Sequence, residues 1–85
     1  MNWNKQAEDN FKKILERIPV FLRSIAQVKV LKTAEAMAVK DGRPEVGEKD
    51  LVDAFFKETP FGFHGPLKND MQEFGIDYVK YGYEK

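Results

Sequence analysis

The sequence predicts an all-α fold, a small three-helix core with a short fourth helix and an aromatic C-terminal tail. Two observations carry that reading. Apolar residues recur at helical spacing along three segments, and those segments are separated by the breakers Pro19, Gly42 and Pro60.

The first helix is read from Trp3, Ala7, Phe11, Ile14, Leu15 and Ile18, which fall at three- and four-residue steps. Lys5, Glu8, Asp9, Lys12, Lys13 and Glu16 form its solvated side. Pro19 separates this helix from the next, because its ring clashes with the carbonyl four residues back while its fixed φ suits a helix start. The second helix spans residues 20 to about 41. Its apolar surface is broad, with Phe21, Leu22, Ile25, Val28, Leu31, Ala34, Met37 and Ala38, and that width predicts contacts on more than one side. Gly42 is the expected stop, since glycine adopts a left-handed helix-ending conformation without a steric penalty.

A turn and a short extended piece follow, with Val46 as its anchor in the core. The third helix runs from Glu48 to about Lys57, with acidic residues at the positive end of its dipole and Leu51, Val52, Ala54, Phe55 and Phe56 on its buried side. Thr59-Pro60 closes it, because the residue before proline is pushed out of the α region. These elements make a helical domain over residues 1–60. Residues 61–85 are a tail containing Gly and Pro, packed on the domain or on a partner. Within the tail, Leu67 to Phe74 is a short helix stopped at Gly75.

Composition excludes several chemistries. The chain of 85 residues has no cysteine, so disulfides, thiolate zinc, iron–sulfur ligation and a cysteine nucleophile are ruled out. Fourteen basic residues balance fourteen acidic ones, which removes the broad attraction behind non-specific nucleic-acid binding. No apolar run approaches the roughly 20 residues of a membrane span, and the expected setting is cytoplasmic. A core of this size is only marginally self-sufficient, which favours docking on a larger partner and is compatible with a homo-oligomer.

Few residues suggest chemistry. Arg17 and Arg23 flank the Ile18-Pro19 turn, and guanidinium forks grip carboxylates and phosphates, although their commoner role is to cap helix carbonyls or pair within the domain with a carboxylate such as Glu35. His64 is the only histidine, and one imidazole cannot make a metal site, which takes about three or four protein ligands. An acid–base role for it lacks a supporting constellation. Lys29, Lys32 and Lys40, with Arg23 and Lys12 or Lys13, read either as a basic stripe or, the commoner arrangement, as part of a mixed-charge face with Glu8, Asp9, Glu35 and Asp41. Trp3 reads as a lid on the core. Phe61, Phe63, Phe74, Tyr78, Tyr81 and Tyr83 gather most of the aromatic content in the tail, which either anchors a partner or enlarges the core.

The phrase Arg17-Ile18-Pro19-Val20-Phe21-Leu22-Arg23 is the most distinctive in the chain. With Trp3, Ala7, Glu35, Ala38, Gly42, Val46, Leu51 and Ala54 in order around it, it resembles the small C-terminal domain of the B subunit of light-independent (dark-operative) protochlorophyllide reductase, a nitrogenase-like enzyme, and short stand-alone proteins akin to it. The likeness covers residues 3–57, with about one helical turn added before Arg17 and another before Glu35, insertions that keep helix faces aligned. It implies a helical module associated with a multi-subunit iron–sulfur reductase. The clusters belong to other parts of that enzyme, so the resemblance implies no cofactor and no catalysis here.

The functional expectation is therefore a non-catalytic accessory module that docks on a larger protein, with Arg17, Pro19, Phe21, Arg23, Phe63, His64, Tyr78 and Tyr81 as binding residues. The alternative is a histone-like, nucleic-acid-binding dimer, since a long second helix, a glycine and a third helix also resemble the latter half of a histone fold; zero net charge weighs against it.

Overall fold

Asn4 starts the first helix. In the computed structural model, which describes residues 1–85, the Asn4 side chain accepts hydrogen bonds from the backbone N–H groups of Gln6 and Ala7 at 2.9 and 3.2 Å. That satisfies two of the four donors a helix N-terminus leaves free. Helix α1 then runs Lys5–Glu16 and buries Ala7, Phe11, Ile14 and Leu15. Trp3 lies before it, not on it. Asn2–Trp3 forms a two-residue strand, β1, that pairs in parallel with β2 (Glu45–Val46). Trp3 still serves as the expected lid, stacked on Phe11 with ring centroids 5.1 Å apart and its indole N–H donating to Glu35 at 2.9 Å.

Helix α2 (Val20–Lys40) is the longest element, and at 1.5 Å per residue it is about 30 Å long. It ends as expected on Gly42, whose φ is +72°. The Arg43 N–H reaches back to the Ala38 carbonyl and the Gly42 N–H to Val39, which closes the helix in a Schellman turn. Arg43 then makes a paired contact with Asp50, which is only 1% exposed and also accepts the Gly47 N–H at 2.9 Å. The buried carboxylate thus holds the α2–α3 connection to the first turn of α3 (Glu48–Glu58).

Helix α3 is central to the core. Its Leu51, Val52, Ala54, Phe55 and Phe56 join Phe11, Ile14 and Leu15 of α1 and Val30, Ala34 and Ala38 of α2 in one buried cluster. The alanines let α2 approach closely. Only that one side of α2 is covered, whereas its apolar width led to an expectation of contacts on several sides; Phe21, Leu22, Ile25 and Val28 remain exposed.

A 3₁₀ turn over Phe61–Phe63 leads into α4 (His64–Glu73). This helix starts three residues before the expected Leu67, because Pro66 sits in the first turn, where its missing N–H breaks no helical bond. Gly75, at φ +74°, ends α4, and the Ile76 N–H bonds the Met71 carbonyl at 2.8 Å. The tail folds back on its own domain. Leu67, Met71, Ile76 and Tyr78 are in the core, Tyr83 stacks on Phe56 at 4.1 Å, and Val79–Tyr81 forms a second 3₁₀ turn.

Candidate docking site

Two prolines break the chain, and each leaves the preceding helix with carbonyls that have lost their intrahelical donors. After Pro19, Arg23 turns back one helical turn later. Its Nε donates to the Leu15 carbonyl at 2.9 Å, and Nη2 donates to Glu16 and Ile18 at 3.2 and 3.0 Å. After Pro60, His64 does the same for α3, with Nε2 at 3.1 Å from the Phe56 carbonyl and 2.9 Å from that of Thr59. Two acceptors facing one ring nitrogen assign the proton to Nε2. In both corners the side chain four residues past the proline caps the helix before it.

Arg17 is committed within the domain as well. It forms a forked pair with Glu73 at 2.9 and 2.8 Å, reaches Asp70 at 3.3 Å and lies over the Phe74 ring. The fork holds the Glu73 carboxyl below the usual carboxylate range and raises the guanidinium further. None of the three polar residues singled out in the sequence is free for chemistry.

What the two corners build between them is a groove. The N-terminal half of α2 overhangs the segment from Thr59 to Leu67, and the depression between them has a volume of about 430 Å³. Its walls are Ile18, Pro19, Leu22, Ile25 and Ala26 on one side and Pro60, Phe63, Pro66 and Leu67 on the other, with Phe55 among its lining. Phe21 and Val28 extend the apolar surface along α2, one turn either side of Ile25. These side chains face solvent: Phe21 is 79% exposed, Ile25 55% and Phe63 64%. Phe61, next to Pro60 and against the His64 ring, is also exposed, at 87%. A contiguous apolar surface of this kind marks an interaction site, where single exposed apolar residues do not.

Two acids and two bases line the groove: Arg17 neutralises Asp70, whereas Glu58 accepts only from the neutral Thr33 hydroxyl at 2.8 Å and keeps its charge. Lys29 on the rim forms no ion pair. Further along α2, Lys32 and Lys40 meet Lys57 of α3 around a second, shallow depression of about 430 Å³, and these lysines are likewise unpaired. Of the acids expected to share a face with these lysines, none pairs with them. Glu8 pairs with Lys12, Asp9 with Lys5, Asp41 with Arg43, and Glu35 takes the Trp3 indole. The lysines of α2 are left as a basic stripe.

The structure thus brings Pro19, Phe21 and Phe63 together on one surface, with Arg17 at its edge, and places Arg23 and His64 beneath it as caps. Tyr78 and Tyr81 do not belong to that surface. Tyr78 is buried, with its hydroxyl accepting from Gln72, and Tyr81 donates to Glu48 while Tyr83 donates to Asp53, both on α3. Burial and the neighbouring carboxylates push both phenols above their ordinary range. Leu22, Ile25 and the unpaired lysines are the surface residues that sequence reading did not single out as a site; the excess apolar width of the second helix was the signal that pointed to them. No cluster of three or more metal-ligating side chains forms, and no helix is long and apolar enough to cross a membrane. Compared with known proteins, the chain matches no family model, no curated sequence and no solved structure.

Proposed function

We propose that this chain is a non-catalytic accessory module that acts in the cytoplasm by docking on a larger protein through the groove between α2 and the Thr59–Leu67 segment. The observation that carries the proposal is the exposure of Leu22, Ile25 and Phe63 around one groove, with Phe21 one turn along α2 from Ile25, on an 85-residue domain. A chain this short has little apolar surface to leave uncovered, so a large exposed patch is explained by a partner that buries it. Its aromatic anchors and concave centre fit the anatomy of a protein interface.

The kinship with the C-terminal domain of the reductase B subunit rests on the residue pattern around Arg17–Arg23, and it suggests a redox, iron–sulfur enzyme as the larger protein. The fold gives that pattern a structural reason, since Pro19 breaks the helix and Arg23 caps the break.

The test is recovery of partners from the native lysate by the tagged chain, with Ile25→Ser as the control and mass spectrometry of what stays bound. A discrete assembly retained by the natural chain and lost from Ile25→Ser is the expected result. Identical recovery by both chains, or recovery only of nucleic acid that nuclease removes, would overturn the proposal.

A further inference from the structure

We propose that the occupant of the groove is an acidic amphipathic helix, a segment of another protein with an apolar stripe flanked by aspartate and glutamate. This deepens the docking proposal above and rests on it. The groove is elongated along α2 and lined by branched and aromatic side chains, a shape that accepts residues projecting from one face of a helix. Four lysines border the path such a helix would follow. Lys29 stands on the groove rim, and Lys32, Lys40 and Lys57 continue the line toward the C-terminal end of α2. None has a carboxylate partner; Asp70 and Asp41 are ion-paired with arginines, and of the nearby acids only Glu58 and Glu35 keep an unpaired charge, so four unpaired lysines outnumber two unpaired carboxylates. An excess of unpaired positive charge beside an apolar groove favours a partner of the opposite sign over one of the same sign.

The same charges argue against a second copy of the chain. An isologous pairing of α2 with itself would bring Lys29 and Lys32 of each copy against the other's lysines or onto its apolar stripe. This face offers too few carboxylates to meet them, because Asp41 is paired with Arg43 and only Glu58, held by the Thr33 hydroxyl, and Glu35, held by the Trp3 indole, keep an unpaired charge. A nucleic acid would satisfy the lysines and leave Phe21, Ile25 and Phe63 exposed.

The experiment uses a display library of amphipathic helical peptides about five turns long. Each has a constant apolar stripe, with the flanking positions randomised among glutamate, lysine and glutamine. The library is selected on the immobilised full chain, on Ile25→Ser and on the triple variant Lys29→Glu, Lys32→Glu, Lys40→Glu. Circular dichroism first establishes that both variants retain the natural helicity. The expected result is an enrichment of glutamate over lysine at the flanks of about tenfold, lost on Ile25→Ser and inverted on the triple variant. Enrichment that depends on Ile25 but shows no preference for charge would overturn the acidic partner while leaving the docking reading intact. No enrichment dependent on Ile25 would overturn both. Sedimentation showing a dimer of the natural chain that Ile25→Ser dissociates would assign the groove to a second copy, and DNA binding abolished by the triple variant but not by Ile25→Ser would assign the lysines to nucleic acid; either would overturn the proposal.

Discussion

Both sides of α2 are apolar, and they meet opposite fates. On one side Val30, Ala34 and Ala38 are packed against α3; on the other Phe21, Ile25 and Val28 face water, although they are larger and more apolar than the alanines. Hydrophobicity alone therefore does not decide which face of a helix is covered. Coverage requires an element opposite, and α1 and α3 together supply only one such surface. The small residues mark the side where backbones approach closely, and the large ones mark the side with no partner in this chain. Selection for solubility would remove large apolar side chains from an idle surface, so their presence there is the argument for a function.

Placing the same charge on each side would sharpen the contrast most. Ala34→Glu buries a carboxylate with no partner, and the expected penalty of several kcal/mol exceeds what a domain of this size can absorb; loss of the cooperative thermal transition checks it. Asp50→Ala comes next. Removing the buried carboxylate leaves the Gly47 N–H unsatisfied and deprives Arg43, which keeps Asp41, of its hold on α3, with an expected loss of roughly 2–3 kcal/mol by urea denaturation. Arg23→Ala exposes how far the groove depends on its corner. It removes the guanidinium from the carbonyls of Leu15, Glu16 and Ile18, of which Leu15 keeps the Ile18 N–H, and an expected loss of about 2 kcal/mol would accompany faster hydrogen exchange in the last turn of α1.

The tail offers a milder probe. Tyr81 and Tyr83 titrate above their ordinary range in the fold, so the folded chain holds its phenolic protons more tightly than the unfolded chain does. Their contribution is complete below the unfolded value of about 10 and declines as pH rises above it. Stability should fall in that range for the natural chain, and the fall should shrink in the Tyr81→Phe, Tyr83→Phe double variant. The α2 groove, which contains neither tyrosine, should keep its binding properties in that variant at neutral pH.

Much of the architecture was legible because its causes are local. Apolar spacing set α1, α2 and α3, glycine geometry set the ends of α2 and α4, and Pro19 and Pro60 set the corners. The β1–β2 pairing was not legible, since two residues carry no alternation pattern and the bridge joins segments far apart in sequence. The site was half legible. Pro19, Phe21 and Phe63 do share a surface, but Arg23 and His64 drew notice for their chemistry and act as caps, because what a polar side chain bonds depends on which orphaned carbonyl the fold brings near it. The sequence left the basic stripe undecided against a mixed-charge face for the same reason. In the sequence, Glu35 within α2 and Asp41 just after it stand close enough to pair with Lys29, Lys32 and Lys40, and only the structure shows that neither does.

The most direct measurement is urea denaturation of Phe21→Ser, Ile25→Ser and the two combined, at two protein concentrations well separated, beside Val30→Ser as the buried counterpart on the same helix. The expected result is an unfolding free energy for the outer variants within about 0.5 kcal/mol of the natural chain and independent of concentration, while Val30→Ser loses roughly 2 kcal/mol or more. Outer variants that lose as much as Val30→Ser would show that the free chain already covers this face, and a loss that grows with concentration would show that a second copy covers it.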